Sequence, residues 1–445
     1  MKKTLLFLFL FCGIAASALA QNCDSDFLGT KTLYPAPAQL YTPVPAGYAP
    51  VFINYVGRHG ARHLTKDVKI SFAYRALQKA DSLNALTQKG EKLWQMVKAL
   101  QKVEQSNVKN ISDEGRDELM GIAQRMYNNN RLVFKERVKL NVSVTREIRT
   151  TQSADAFLKG LNNALKKILA INKFKDDTHL RFYDFSPAYD DFEKAVDNGS
   201  LMQSLRENEN VNSLNDEVAA RFLSSEFLKK LDEGKKDKFV SDIFGFVSIV
   251  PSLDQEIKQA GYSVAALDFK SFFSCDQLAR LGFLDAVDDN LKKGPAMNNN
   301  GIQVRISAPL LVNFINTSDK FVKSHPVNAE LRFAHAETIA PFAALLRLSG
   351  ADGVATTPKQ LKSSWSASKV APLSSNIQWI FYRNRRGNIL VKILLNENEV
   401  RISGLTTSSF PYYKWADVRT FYMEELKKLD IKLTDDMKAY LTDLK

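Results

Sequence analysis

Three times along this chain a short apolar run ends in a polar, cation-bearing cluster that passes into a helical pattern. That repeated grammar restricts the fold more than any other feature. The first run, Val51 to Gly57, reads as a buried strand stopped by glycine, and Arg58-His59-Gly60-Ala61-Arg62-His63 follows it. The second places Val138, Leu140, Val142 and Val144 at period two, then Thr145-Arg146-Glu147-Ile148-Arg149 and a helical pattern from about Thr151 to Ile171. The third, Glu330 to Ala334, runs into His335-Ala336-Glu337 and an apolar helix, Pro341 to Leu348, closed by Gly350. Strands alternating with helices argue for an α/β fold. Ligands of open α/β sheets bind outside the carboxyl ends of the strands, so the three clusters converge on one site if these strands are neighbours.

The rest of the chain fits around that sheet. Tyr34 to Pro50 is proline-rich and reads as an extended lead-in. From about Phe182 to Lys293 the pattern changes to helix-length amphipathic stretches, such as Asn215 to Leu231 and Ser252 to Gln259. Ile377 to Tyr382 and Ile389 to Leu395 flank a basic turn, Arg383 to Asn388, as a hairpin, and a helix is expected from Trp415 to Leu429. The expectation is a sheet sandwiched by helices, built from 21–180 and 305–445, with a smaller inserted α-helical domain over 181–304. No internal repeat argues for a solenoid or propeller.

Lys2-Lys3, the apolar run Leu5 to Ala16 and the small residues Ala18-Leu19-Ala20 predict a cleavable secretory signal over 1–20. Leu19-Ala20-Gln21-Asn22 ahead of Cys23 is not a lipoprotein pattern, and no later run is apolar for the roughly 18 residues that an integral membrane span needs. The expected location is the bacterial periplasm or beyond it. Cys12 would leave with the signal, so Cys23 and Cys275 remain, and the spacing leaves their pairing open. With 61 Lys and Arg against 49 Asp and Glu the chain carries +12, or +10 without Lys2 and Lys3. An anionic partner follows, with nucleic acid, anionic membrane and phosphorylated small molecules all open. No helix-turn-helix, zinc-finger or RNA-binding signature accompanies the charge, which disfavours nucleic acid.

The Arg58 to Arg62 cluster sets two guanidinium forks and an imidazole around a glycine that lets backbone approach a ligand. Arginine matches phosphate oxygens bidentately and histidine is a competent nucleophile near neutral pH, a pairing suited to phosphoryl transfer to nitrogen. A metal site built on His59, His63, His335 and Glu337 is disfavoured, because Arg58 and Arg62 would repel a cation and neither H-E-x-x-H nor a cysteine-rich set is present.

At this point the residues resemble the histidine acid phosphatases of the histidine phosphatase superfamily, branch 2. Arg58-His59-Gly60-Ala61-Arg62 is similar to their signature R-H-G-x-R-x-P, with Leu64 in place of the proline. Arg149 to Ala154 resembles their downstream arginine segment, and Leu331 to Phe342 their distal histidine segment. His335-Ala336-Glu337, where most members carry His-Asp, and Leu394-Leu395-Asn396-Glu397 resemble the multiple inositol polyphosphate phosphatases.

The resemblance implies a phosphomonoesterase that needs no metal or organic cofactor and acts on inositol hexakisphosphate (phytate) and lower inositol phosphates. His59 would become phosphohistidine, Arg58, Arg62, Arg149 and His335 would surround the phosphoryl oxygens, and Glu337 would protonate the leaving oxygen. Thr65 and Lys66 would lie at the substrate's rim, though both also fit a polar loop edge. Glu337 also fits a carboxylate favoured at a helix N-terminus. A neutral His59 beside a protonated Glu337 implies best activity from mildly acid to neutral pH. The competing readings are a broad acid or sugar-phosphate phosphatase and a binder of phosphate esters without turnover. The oligomeric state is not legible.

Overall fold

The computed structural model describes residues 23, 25–37, 40–135, 137–166 and 169–444, so the expected signal over 1–20 lies outside the described residues. Eight strands form one sheet: β1 (Tyr48–Arg58), β2 (Val138–Val144), β3 (Leu169–Lys175), β4 (Ala329–Ala334), β5 (Asn376–Asn384), β6 (Ile389–Leu395), β7 (Asn398–Glu399) and β8 (Tyr412–Lys414). Their order is β3-β2-β4-β1-β5-β6-β7, with β8 paired to β6. The first four are mutually parallel, and β5 and β6 run antiparallel beside them.

The three strand exits seen in the sequence are therefore neighbours. Arg58 of β1 pairs with Ala334 of β4, and Val144 of β2 pairs with Phe333, so the ends of all three strands are level. β3 was hidden within the end of the helix expected to reach Ile171. The helix stops at Leu165, and Ile171 and Phe174 of β3 are exposed at the sheet's edge, where burial imprints no alternation.

Both faces of the sheet are covered, which is why β1 is apolar on successive residues. Phe52 and Val56 pack against the helices Ala308–Ser324, Ala336–Leu345 and Trp415–Lys428, while Ile53 and Tyr55 pack toward α3 (Asp113–Asn129) and α4 (Ile148–Leu165). Asn54, buried in the middle of β1, is satisfied by donating to Phe314 O and Ser318 Oγ, each at 3.0 Å.

The helices between β3 and β4 do not build a core alone. α1 (Phe72–Ser82) and α2 (Gln88–Glu104) join Val211–Ala220 and Glu233–Ile249 in one apolar cluster that includes Leu77, Trp94, Phe222, Phe239 and Ile243. This layer overhangs the strand exits through the helix Cys275–Lys293, whose first residue is disulfide-bonded to Cys23. The bond links residues 252 apart in sequence with Cα atoms 5.2 Å apart. Among the described residues no helix is long and apolar enough to cross a membrane.

Candidate active site

His59 follows the last residue of β1, and its N–H donates to Ala334 O at 3.0 Å, continuing the ladder one step past the strand. Its ring Nδ1 lies 2.9 Å from Gly60 O. A carbonyl only accepts, so Nδ1 carries the proton and Nε2 keeps its lone pair for a ligand. The turn after it is tied down on three sides. Gly60 N donates to Ser153 Oγ at 3.1 Å, Ala61 N to Glu118 Oε2 at 3.0 Å, and Ser112 N to Ala61 O at 2.9 Å. Glu118 also accepts from Tyr34 N and Ser374 Oγ, so one half-buried carboxylate fastens three segments at the site's base.

His335 caps the helix Ala336–Leu345, and its ring stands edge-on to His59 with centroids 5.6 Å apart. Arg149, in the first turn of α4, places Nη2 3.2 Å from His335 Nδ1 and donates through Nη1 to Glu147 Oε2 at 2.7 Å. With Nδ1 accepting, His335 Nε2 is the donor to Thr145 Oγ1 at 3.0 Å. Arg58 donates to the carbonyls of Thr30 and Ala371, and Arg62 to His63 O at 2.8 Å. The Nε atoms of Arg58, Arg62 and Arg149 are buried without a hydrogen-bond partner. Three converging guanidinium groups with unspent buried donors are what an anionic ligand would complete.

The electrostatics follow from that crowding. Burial, reinforced by Arg58, Arg149 and Arg62, holds the His59 pKa well below that of a free imidazole. Burial and Arg149 do the same for His335, although Glu337 pulls the other way. Both rings are neutral in the free protein at neutral pH. Burial and neighbouring cations bring Arg58 and Arg62 down to about 10, which leaves both charged.

Glu337 sits in the first turn after His335 and keeps 36% of its side-chain surface open. Its Oε1 lies 3.2 Å from Lys293 Nζ, which is 2.8 Å from Asp289. Burial pushes this carboxyl up, but Lys293, the helix-start backbone N–H and Arg58 outweigh it and hold the group well below the usual carboxylate range.

The structure thus brings together His59, Arg58, Arg62, Arg149, His335 and Glu337. Thr65 and Lys66 follow directly after Leu64. Both are exposed and line a cavity of about 250 Å³ with Lys238, Ser241, Asp242 and Phe246. Two cations were missed in sequence. Arg181 reaches to 3.4 Å from His335 Nε2 and pairs with Asp184 and Glu147. Lys293 ends a helix as half of a Lys-Lys pair, which reads as an ordinary C-terminal charge until the helix is placed over Glu337. Among the described residues no group of three or more His, Cys, Asp and Glu side chains could hold a metal ion.

The model of the histidine phosphatase superfamily (branch 2) matches residues 51–396. The chain belongs to this family. Its fold is similar to that of the Bifidobacterium longum multiple inositol polyphosphate phosphatase solved with inositol hexasulfate, with a TM-score of 0.77 and 22% identity over 89% of this chain and 97% of that one. It is also similar to the D. castellii phytase, with a TM-score of 0.64 and 14% identity over 90% and 85% of the two chains. The Hafnia alvei phytase in complex with myo-inositol hexakis sulphate gives a TM-score of 0.54 and 14% identity over 86% and 98%. No curated protein matches the chain.

Proposed function

We propose that this protein is an exported phosphatase that hydrolyses inositol hexakisphosphate and lower inositol polyphosphates through a phosphohistidine. The observation that carries the reading is the convergence of Arg58, Arg62 and Arg149, each with an unpartnered buried N–H, around the free Nε2 of a neutral His59.

In this reading Arg58, Arg62, Arg149 and His335 take the non-bridging oxygens of one phosphate. His59 Nε2 attacks phosphorus as the bond to the ester oxygen breaks, and Glu337 gives that oxygen its proton, so the alcohol leaves and an N–P bond remains. Water then attacks the phosphohistidine while the Glu337 carboxylate takes its proton, which frees inorganic phosphate and restores both side chains. Phosphoryl transfer is limited by the charge it spreads over the oxygens, and converging cations supply that stabilisation. Glu337 is ionised in the free protein, so its proton must come with an entering phosphate, whose charge offsets the local cations, or with acid. That places best activity on the acid side of neutrality.

The substrate class is supported by the net charge of +10 left without Lys2 and Lys3, by Arg181 and Lys293 beyond the first phosphate's own ligands, and by the inositol phosphate enzymes that share the fold. Export is supported by the Cys23–Cys275 disulfide, a bond of oxidising compartments. Phosphate release from inositol hexakisphosphate and from glycerol 2-phosphate, compared at equal concentration with chelator present, tests the reading. It expects a preference for the inositol ester. A preference for the simple ester would leave a broad acid phosphatase, and no release from either would leave a binder.

A further inference from the structure

His63 closes the cationic cluster, and the chemistry above makes no use of it, yet it is only 3% exposed. Its Nδ1 lies 3.4 Å from Glu104 Oε2 at the end of α2, and its Nε2 lies 3.6 Å from Glu256 Oε1 in the helix Asp254–Gln259. Both carboxylates are nearly as buried, and each also accepts a backbone N–H, Glu104 from Leu64 and Glu256 from Asp113. Two buried carboxylates need a cation between them, because an uncompensated buried charge is far costlier than a paired one. Near the trio, Arg62 on its own segment is coupled to Glu104, Glu114 on α3 is coupled to Glu256 and in turn to Asp117 and Asp254, and Asp113, whose N–H meets Glu256, is paired with Arg116. The balance around the imidazole is acidic.

The same residue is wired to the phosphate-binding arginine beside it. Arg62 Nη1 donates to His63 O, and His63 N donates to Asn110 O at 3.0 Å. Arg62 pairs with Ile111, whose N–H donates to Gln152 Oε1 at 2.9 Å, one turn along α4 from Arg149. A shift of His63 would therefore be felt at Arg62 and, through Gln152, at Arg149.

We propose that His63, held as an imidazolium between Glu104 and Glu256, is a positioning residue that locks the Arg62 loop to the helical layer and thereby sets the site's affinity for phosphate. This rests on Arg62 being a phosphate ligand, as argued above. Burial pulls the His63 pKa down, but Glu104 and Glu256 outweigh it and lift it to about 9. The folded value exceeds the unfolded one of about 6.5, so the stability the pairing contributes is full below about 6.5, while the imidazolium of the folded protein persists until pH nears about 9 and the lock is lost as pH rises through that value.

The experiment measures binding of inositol hexasulfate, whose sulfate esters do not titrate, across about pH 6 to 10, together with the His63 ring titration by carbon–proton NMR. The wild type should bind evenly to about pH 8 and then lose roughly tenfold in affinity in step with the His63 titration. Glu256→Gln, a mild change, should move both to lower pH, which separates them from deprotonation of the arginines. His63→Gln should bind weakly throughout with no break, while its melting curve reports that it has folded. A His63 titration near that of a free imidazole, a break that ignores Glu256→Gln, or full affinity in folded His63→Gln would overturn the proposal. Wild type that binds inositol hexasulfate but hydrolyses no phosphate ester would defeat the phosphatase reading alone, and failure to bind at any pH would overturn both.

Discussion

Gly60 and Gly115 meet backbone to backbone, so closely that a Cβ on Gly60 would lie 2.6 Å from the Gly115 carbonyl oxygen, and one on Gly115 would lie 2.1 Å from Ala61 O. The turn carrying His59 is therefore seated on the first turn of α3 with no room for a methyl group on either side. Gly115→Ala should lift the turn off its seat, costing about 1–3 kcal/mol of stability and a disproportionate share of phosphate affinity. Denaturant titration and inhibition by inorganic phosphate check the two parts. Equal phosphate inhibition in the variant and the wild type would show that the contact supports only stability.

Arg149 touches the His335 ring and offers an unpartnered Nε to the site. Arg149→Ala should lower kcat/KM for inositol hexakisphosphate by about a hundredfold to a thousandfold, the scale for removing one preorganised donor from a developing oxyanion. Steady-state kinetics at matched pH measure it. A tenfold loss or less would remove Arg149 from the ligands of the transferred phosphoryl group.

Glu337 serves only when the leaving oxygen needs a proton. Glu337→Gln should slow an alkyl phosphate by about 10²–10⁴ while sparing the first step on an aryl phosphate, whose phenolate leaves unaided. Uniform loss on both would reduce Glu337 to a helix N-terminal carboxylate.

Lys293 is the chief cation holding Glu337 ionised. Removing it in Lys293→Met should raise the Glu337 pKa and carry the alkaline limb of kcat for a simple alkyl monoester to higher pH. The sign follows from the carboxyl having to be protonated to act, so a higher pKa keeps the acid form over a wider range. A pH–rate profile decides it, and an unmoved limb would mean that another group sets it.

The Cys23–Cys275 bond closes a loop of most of the chain and fastens the N-terminal segment to the helix that bears Lys293. Cys275→Ser should cost about 2–5 kcal/mol of stability. Unfolding with and without reductant measures this, and identical wild-type curves would contradict it.

Much of the site was legible because it lies at strand exits. A buried strand must end in polar residues where it reaches the surface, and three such endings carried Arg58 to Arg62, Arg149 and His335-Ala336-Glu337. What the pattern could not carry was anything brought in by the packing of the helical layer. Arg181 and Lys293 acquire their meaning only when their helices settle against His335 and Glu337. Glu118 lies in the first half of an acidic helix that reads as solvated charge, and it meets Tyr34 and Ser374 only because those residues arrive from distant segments. β3 is an edge strand with exposed side chains, so its pattern records no burial. Thr65 and Lys66 were placed by adjacency to the signature alone, and the cavity they share with Lys238 and Asp242 of the helical layer leaves no trace in the sequence.

Whether His59 carries the phosphoryl group is the claim on which the rest depends. Rapid acid-free quenching during turnover of phosphorus-labelled inositol hexakisphosphate, followed by peptide mapping, measures it directly. The account predicts a label on His59 that is acid-labile and alkali-stable, and no label or turnover in His59→Ala. Turnover that persists in His59→Ala, or a label found on another residue, would contradict it.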